Sequence, residues 1–186
     1  MTRLGFTERF LHWAKWAFLV LLVLVAGLLV ALLCAHYELH PLSPDARADR
    51  ILVEKSAHRL TLFRGKTPLK SYQIALGRSP IGQKQREGDY RTPEGIYAID
   101  SRNRESTCYR ALHVSYPSRG DRTRDARLGV APGGDIMIHG IGNGYGWLGS
   151  FHRLFNWTSG CMAVTDEEME EIWRAVPNGT PIEIKP

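Results

Sequence analysis

Between Trp16 and Ala35 the chain carries no charged residue, and that stretch limits what the remainder can be. About 20 apolar residues is the length an α-helix needs to cross the hydrocarbon core of a bilayer. Trp13, Trp16 and Tyr37 stand where interfacial aromatics belong. A transmembrane helix is therefore expected over residues 16–36. Arg3, Arg9 and Lys15 precede it with only Glu8 in opposition, so the positive-inside rule assigns residues 1–15 to the cytoplasm and the chain beyond the helix to the far side. A cleaved signal peptide is the competing reading. Its apolar region runs ~7 to 15 residues and ends in a small-x-small site, whereas this run is longer and leads into Cys34-Ala35-His36-Tyr37. The helix is expected to be retained. Cys34 follows Leu32-Leu33, a bulky residue where lipoprotein processing requires a small one, and is read as lipid-facing.

Residues 37–48 turn polar and include Pro41 and Pro44, which suits a short, stiff spacer. The segment 49–186 that remains is long enough for one hydrophobic core and too short for two. Lys and Arg number 24 against 19 Asp and Glu, a mild excess concentrated in part at Arg119, Arg122, Arg124 and Arg127. That cluster reads as a solvated loop that could face acidic groups on a substrate. Nothing in the chain resembles a nucleic-acid module, so no nucleic-acid partner is expected. Of the three cysteines, Cys108 and Cys161 could pair outside the cytoplasm. Pairing would consume the residue that the chemistry below requires, so Cys161 is expected to be free and Cys108 to be a packing residue.

The periodicities are mostly those of strands. Arg50 to Glu54, Arg59 to Arg64 and Ser71 to Ala75 read as an antiparallel meander turned at Gly65-Lys66. Gly88-Asp89, Thr92-Pro93-Glu94-Gly95 and Pro117-Ser118 punctuate the middle of the chain. Strands are expected at Ile96 to Asp100 and Ala111 to Ser115. One helix is clear: Thr165 and Glu168 form a capping box, Met169, Ile172, Trp173 and Val176 an apolar face, and Pro177-Asn178-Gly179 a stop. A last strand covers Pro181 to Ile184.

Chemistry gathers at His139-Gly140 and at Thr158-Ser159-Gly160-Cys161. A cysteine attacks as the thiolate, and an imidazole within hydrogen-bond reach takes its proton and stabilises the anion as an ion pair. Asp135 to Ile138 reads as a short buried strand delivering His139 at its end. Gly140, Gly142, Gly144, Gly146 and Gly149 then predict a long flexible loop. Gly160 leaves the approach to the sulfur open, and a backbone N–H there could serve as oxyanion donor. Three other readings compete. His139, His152 and Cys161 could ligate zinc, but no close pair has the usual spacing. Gly144-x-Gly146-x-x-Gly149 matches a dinucleotide fingerprint in form only, with too little chain after it for a βαβ unit. A non-catalytic wall-binding anchor would also use the apolar helix and the arginine cluster.

His139-Gly140, Thr158-x-Gly160-Cys161, Glu87-Gly88-Asp89, Thr92-Pro93-Glu94-Gly95 and the apolar helix together resemble the YkuD-type L,D-transpeptidases of bacterial cell walls. The resemblance covers nearly all of residues 49–186. It implies a mainly β, sandwich-like catalytic domain with one helix in its C-terminal region, preceded by a single transmembrane helix in the inner membrane, with the domain in the periplasm. It implies a reaction in which Cys161 attacks the carbonyl of the third, diamino acid residue of a peptidoglycan tetrapeptide and expels D-Ala. The acyl group then passes to an amine of another stem peptide or of a wall-linked acceptor protein, and water in the amine's place makes the enzyme a hydrolase. His139 is the implied base, Gly160 and Cys161 supply amides near the oxyanion, Thr158 braces the turn, and Gly140, Thr158, Ser159 and Gly160 line the substrate site. Two residues depart from the pattern: Ser159 stands where many members have His, and Ala163 where they have Asn or Arg. Covalent catalysis of this kind needs neither metal nor organic cofactor. Trp147, Phe151 and Trp157 are candidates to wall off the acceptor pocket.

Overall fold

The computed structural model describes residues 6–35 and 40–186. Arg3, His36, Tyr37 and the first residues of the spacer lie outside the described residues. Helix α1, Phe6–Ala35, and the domain that follows it are separate compact units. The helix starts ten residues before the expected span, because Phe6 to Lys15 contains neither glycine nor proline to stop it. Its segment Phe10–Cys34 is long and apolar enough to cross a membrane, and Trp16, Leu22 and Leu29 are all exposed along it.

The domain is a mixed eight-stranded sheet with helices, in the order β3-β2-β1-β8-β4-β5-β6-β7. The expected meander is present as β1 (Arg50–Glu54), β2 (Arg59–Arg64) and β3 (Thr67–Gln73), antiparallel throughout. The strand β8, Pro181–Lys185, lies parallel to β1 and antiparallel to β4. The strand β4, Gly95–Ser106, is more than twice the expected length. Its first four residues pair with β8, and from Ile99 onward it pairs with β5, Tyr109–Val114. Strands β6, Met137–His139, and β7, Met162–Ala163, complete the order, β6 antiparallel to β5 and parallel to β7. The two ends of the series then meet, because Ala75 and Ala163 exchange backbone hydrogen bonds of 2.9 and 2.8 Å just beyond β3. The sandwich-like expectation thus takes the form of a sheet curled back on itself.

Alternation puts Ile51, Val53, Ile182 and Ile184 on the inner face with Leu112, Ile138 and Met162, all within 2% of full burial. Helix α3, Asp166–Ala175, covers β5 and β6 with Met169, Ile172 and Trp173. Each buried aliphatic side chain there is worth about 1.5–3 kcal/mol. Its start is the capping box read from the sequence: Thr165 accepts from Glu168 N at 3.2 Å, and Glu168 accepts from Thr165 N at 3.0 Å.

Two expectations are corrected. The arginine cluster is not a loop but helix α2, Arg119–Arg127, started by a second capping box between Ser118 and Asp121. Arg124 bridges Asp121 and Asp125 at 3.0 and 2.9 Å, which turns that arginine inward while Arg119, Arg122 and Arg127 stay exposed. The glycine segment after His139 is also not loop throughout. Residues Gly146–Leu154 wind into 3-10 turns broken at Gly149, where φ is 47°. Asp166 holds this segment down. Its Oδ1 accepts from Ile141 N at 2.8 Å, and a Cβ placed on Gly140 or Gly146 would come within 2.5 Å of its carboxylate.

Candidate active site

The parallel pairing of β6 and β7 decides which side chains meet. Ile138 lies opposite Met162, and both point into the core with no exposure. Their neighbours therefore project to the other face. His139 stands on β6 opposite Ala163, and Cys161 lies immediately before β7. The pairing thus sets His139 and the end of the Cys161 turn on adjacent strands.

His139 is 6% exposed. Its Nδ1 lies 2.6 Å from the carbonyl oxygen of Gly140, so Nδ1 carries the proton and donates it. Nε2 is left as the basic nitrogen. Burial lowers the imidazole's pKa below its ordinary value, with the Gly140 carbonyl opposing. The ring also meets Trp157 edge-on, with centroids 5.6 Å apart.

Cys161 donates its thiol proton to the carbonyl oxygen of Asp135 at 3.3 Å. Burial pushes the thiol up to about 11; Cys108 and Asp135 add to the rise, while the Met137 amide and Lys84 work against it. Burial therefore acts on both groups toward their neutral forms. The Met137 amide is the group placed to favour the anion once the proton leaves. Cys108 is unpaired, as is Cys161, and its thiol is likewise raised by burial.

The turn before Cys161 is braced from within. Thr158, 4% exposed, donates from Oγ1 to the Cys161 carbonyl oxygen at 2.8 Å and accepts from Gly160 N at 3.2 Å. The Gly160 amide is therefore already engaged. Gly160 holds φ at 128°, and a Cβ there would lie 2.7 Å from the Arg91 carbonyl oxygen. Glycine is required both by the angle and by that approach. Ser159 is exposed. Gly140 packs its Cα against Asp166 and Tyr109 and offers its carbonyl to His139, so its described contacts orient the base.

Several residues that shape the site escape a reading of motifs. Gly77 has no Cβ to meet the Tyr90 carbonyl oxygen, which would be 2.1 Å away, or the Gly160 Cα at 2.9 Å. Segment 82–94 thereby rests on the nucleophile's turn. Asp89 organises that segment, accepting from Lys84 Nζ at 2.7 Å and from the amides of Gln85, Arg86 and Arg91. Burial opposes its charge, but the Lys84 bond and the three amides prevail and bring the carboxyl down to about 2. A second buried lysine, Lys55, ties Glu94 at 2.8 Å and the carbonyls of Gly82 and Thr92. The sequence signal was the Gly88-Asp89 turn, legible as punctuation and silent about its load.

Two hollows are lined by neighbours of these residues, one by Trp157, which meets the His139 ring, and one by Asp135, whose carbonyl accepts from the Cys161 thiol. One, about 350 Å³, is wholly apolar and lined by Tyr145, Leu148, Phe155 and Trp157 together with the ring of His152. Of the aromatics expected to wall a pocket, Trp157 does so, while Trp147 is 59% exposed and neither it nor Phe151 lines the hollow. His152 is held neutral, its pKa lowered to about 4 by burial and by Arg153 and His139. The other hollow, about 490 Å³, lies beside Asp135 and Met137 and carries Asp100, paired to His113 at 2.6 Å. Among the described residues no three His, Cys, Asp or Glu side chains gather as a metal set.

Residues 48–184 match the family model described as the L,D-transpeptidase catalytic domain, YkuD. The chain belongs to this family. YafK of Escherichia coli K12 is 31% identical over 111 residues, which are 58% of this chain and 37% of that protein. Two solved structures share the fold. Pgp2, the helical cell shape determining protein of Campylobacter jejuni, aligns at TM-score 0.58 and 24% identity over 76% of this chain and 48% of its own. Bd1075 of Bdellovibrio bacteriovorus aligns at 0.52 and 22% over 75% and 48%. This chain thus spans 37% of the curated relative and about half of each solved one. Within the family, the YkuD domain here comes after an apolar helix that fits either a membrane anchor or a signal sequence.

Proposed function

We propose that this YkuD domain is a cysteine-dependent peptidoglycan L,D-transpeptidase, tethered by α1 as a single-pass anchor with residues 1–15 in the cytoplasm, residues 16–36 in the membrane, 37–48 as spacer and 49–186 in the periplasm. The observation that supports the reading is the parallel pairing of β6 and β7, with a histidine of fixed tautomer on β6 and a protonated thiol just before β7.

Cys161 Sγ passes its proton to His139 Nε2 as it bonds to the carbonyl carbon of the third residue of the stem tetrapeptide. The carbonyl oxygen becomes an oxyanion, for which the Cys161 amide is the candidate donor, the Gly160 amide being held by Thr158. As the bond from carbon to the D-Ala nitrogen breaks, His139 returns the proton to that nitrogen. An acceptor amine then attacks the thioester, gives a proton to His139, and the sulfur leaves as the thiol. The apolar hollow beside His139 suits the acceptor side, since a dry wall favours amine over water. Gly140, Thr158, Ser159 and Gly160 border the acyl group in this reading, Gly140 through its hold on His139. Neither metal nor organic cofactor enters any of these steps.

The test is mass spectrometry of disaccharide-tetrapeptide incubated with the full chain in detergent, with Cys161→Ala in parallel. Cysteine-dependent cross-linked dimers are expected. Tripeptide without dimers moves the assignment to a hydrolase of the same site, and turnover retained in folded Cys161→Ala overturns the mechanism. Replacing His139 should slow acylation by ~10²- to 10⁴-fold.

A further inference from the structure

The family's usual polar or cationic residue two positions after the cysteine is here Ala163, buried with no exposure, so a cation for a substrate carboxylate must come from elsewhere. Near the nucleophile the candidates differ sharply. Lys84 is buried and neutralised by Asp89 at 2.7 Å. Arg91 donates Nη1 to the Gln83 carbonyl oxygen at 3.2 Å. Arg78 is exposed, and among the described residues no carboxylate pairs with it.

Arg78 is also fixed to the turn that ends in Cys161. Its amide donates to the Thr158 carbonyl oxygen at 3.1 Å, and its Nε donates to the Trp157 carbonyl oxygen at 3.3 Å. The guanidinium carbon lies 5.1 Å from the centroid of the Tyr90 ring. Tyr90 itself holds φ at 56°, a left-handed conformation uncommon without glycine, and its carbonyl accepts from Ser79 N at 3.2 Å. Stacking and the Nε bond pre-order the side chain while leaving both terminal nitrogens of the guanidinium for a ligand. A planar fork of that kind matches a carboxylate.

The charge pattern says which carboxylate. Asp135, whose carbonyl accepts from the thiol, lines the hollow that also holds Asp100, paired to His113 at 2.6 Å, while Arg78 is bonded to the turn that leads to Cys161. A stem tetrapeptide has the matching polarity, with an ammonium on the diamino residue before the scissile bond and a free carboxylate on the residue after it. We propose that Arg78, stacked on Tyr90, binds the C-terminal carboxylate of the residue that leaves when Cys161 is acylated. This rests on the transpeptidase reading for its substrate, though the carboxylate site is testable without turnover.

The experiment measures binding to full-length Cys161→Ala protein in detergent of two tetrapeptides that differ only in ending as carboxylate or carboxamide. The acid should bind about tenfold more tightly than the amide, as charge-assisted hydrogen bonds require. Arg78→Gln should erase that preference and leave amide affinity unchanged. Arg78→Lys, which keeps charge without the fork, should restore part of it. An equal preference with and without Arg78, no preference in the parent, or failure of both peptides to bind would each overturn the proposal. Loss of preference in Arg78→Gln, with no cysteine-dependent product from the active protein, would keep the carboxylate site and remove the reaction.

Discussion

The ionisation of Cys161 is the sharpest consequence of the site's burial. Its thiol stands at about 11 against an ordinary 9.0, so forming the resting thiolate costs about 3 kcal/mol more than in an exposed cysteine. At pH 7 the anion is on the order of 10⁻⁴ of the protein. Alkylation of the Cys161 peptide by iodoacetamide, followed by mass spectrometry from pH 6 to 10, should therefore rise about tenfold per pH unit with no plateau in that range. His139→Ala should leave that profile in place, because the neutral imidazole holds no resting anion. A plateau reached below pH 8 and abolished in His139→Ala would show a pre-formed ion pair and refute the reasoning. The same burial has a stability signature. The native state holds the proton more tightly than the unfolded chain, so this contribution is complete below about pH 9 and lost as pH rises toward 11. Turnover, by contrast, should persist below pH 6.5, since burial lowers the His139 pKa and keeps the base unprotonated there.

Asp89 titrates with the opposite sign: its carboxyl is depressed to about 2, so about 2 kcal/mol of stability is present above pH 4 and lost as pH falls toward 2, readable in urea melts. Asp89→Asn should cost about 3 kcal/mol or more at neutral pH, because it strands Lys84, whose side chain is 3% exposed. Gly77→Ala forces a Cβ to within 2.1 Å of the Tyr90 carbonyl and should destabilise by about 3 kcal/mol while lowering turnover; an unchanged melting temperature would contradict the close approach. Thr165→Ala removes a helix cap and should cost about 1 kcal/mol, readable as a lower midpoint in urea melts.

What could be read in advance was whatever a short window of residues determines. The capping box at Thr165, the apolar face of α3 and the meander of β1 to β3 each depend on spacings of two to four residues. Helix α2 obeys the same grammar at Ser118 and Asp121, but it carries no apolar face to mark it as a helix. The glycines after His139 misled for a different reason. They look alike in sequence whether they confer freedom or permit contact, and Gly140 and Gly146 are there for the carboxylate of Asp166. His139 and Cys161 were legible as residue types, whereas the parallel pairing of their strands needed the β6–β7 register. Gly77 and Arg78 meet the site through partners 79 to 83 residues distant, and nothing local marks them.

The position of β8 has a consequence for how the chain comes into being. Ile51 finds its partner Ile182 across a separation of 131 residues, while β1, β2 and β3 pair among neighbours. During synthesis the first three strands are therefore ready long before the strand that closes their inner edge. For that interval β1 presents an unpaired row of amides and carbonyls to whatever other chains are nearby. Yield in a cell is then set by how long this half-built sheet stays solitary, and a holdase supplied early should raise it more than any gain in the stability of the finished domain.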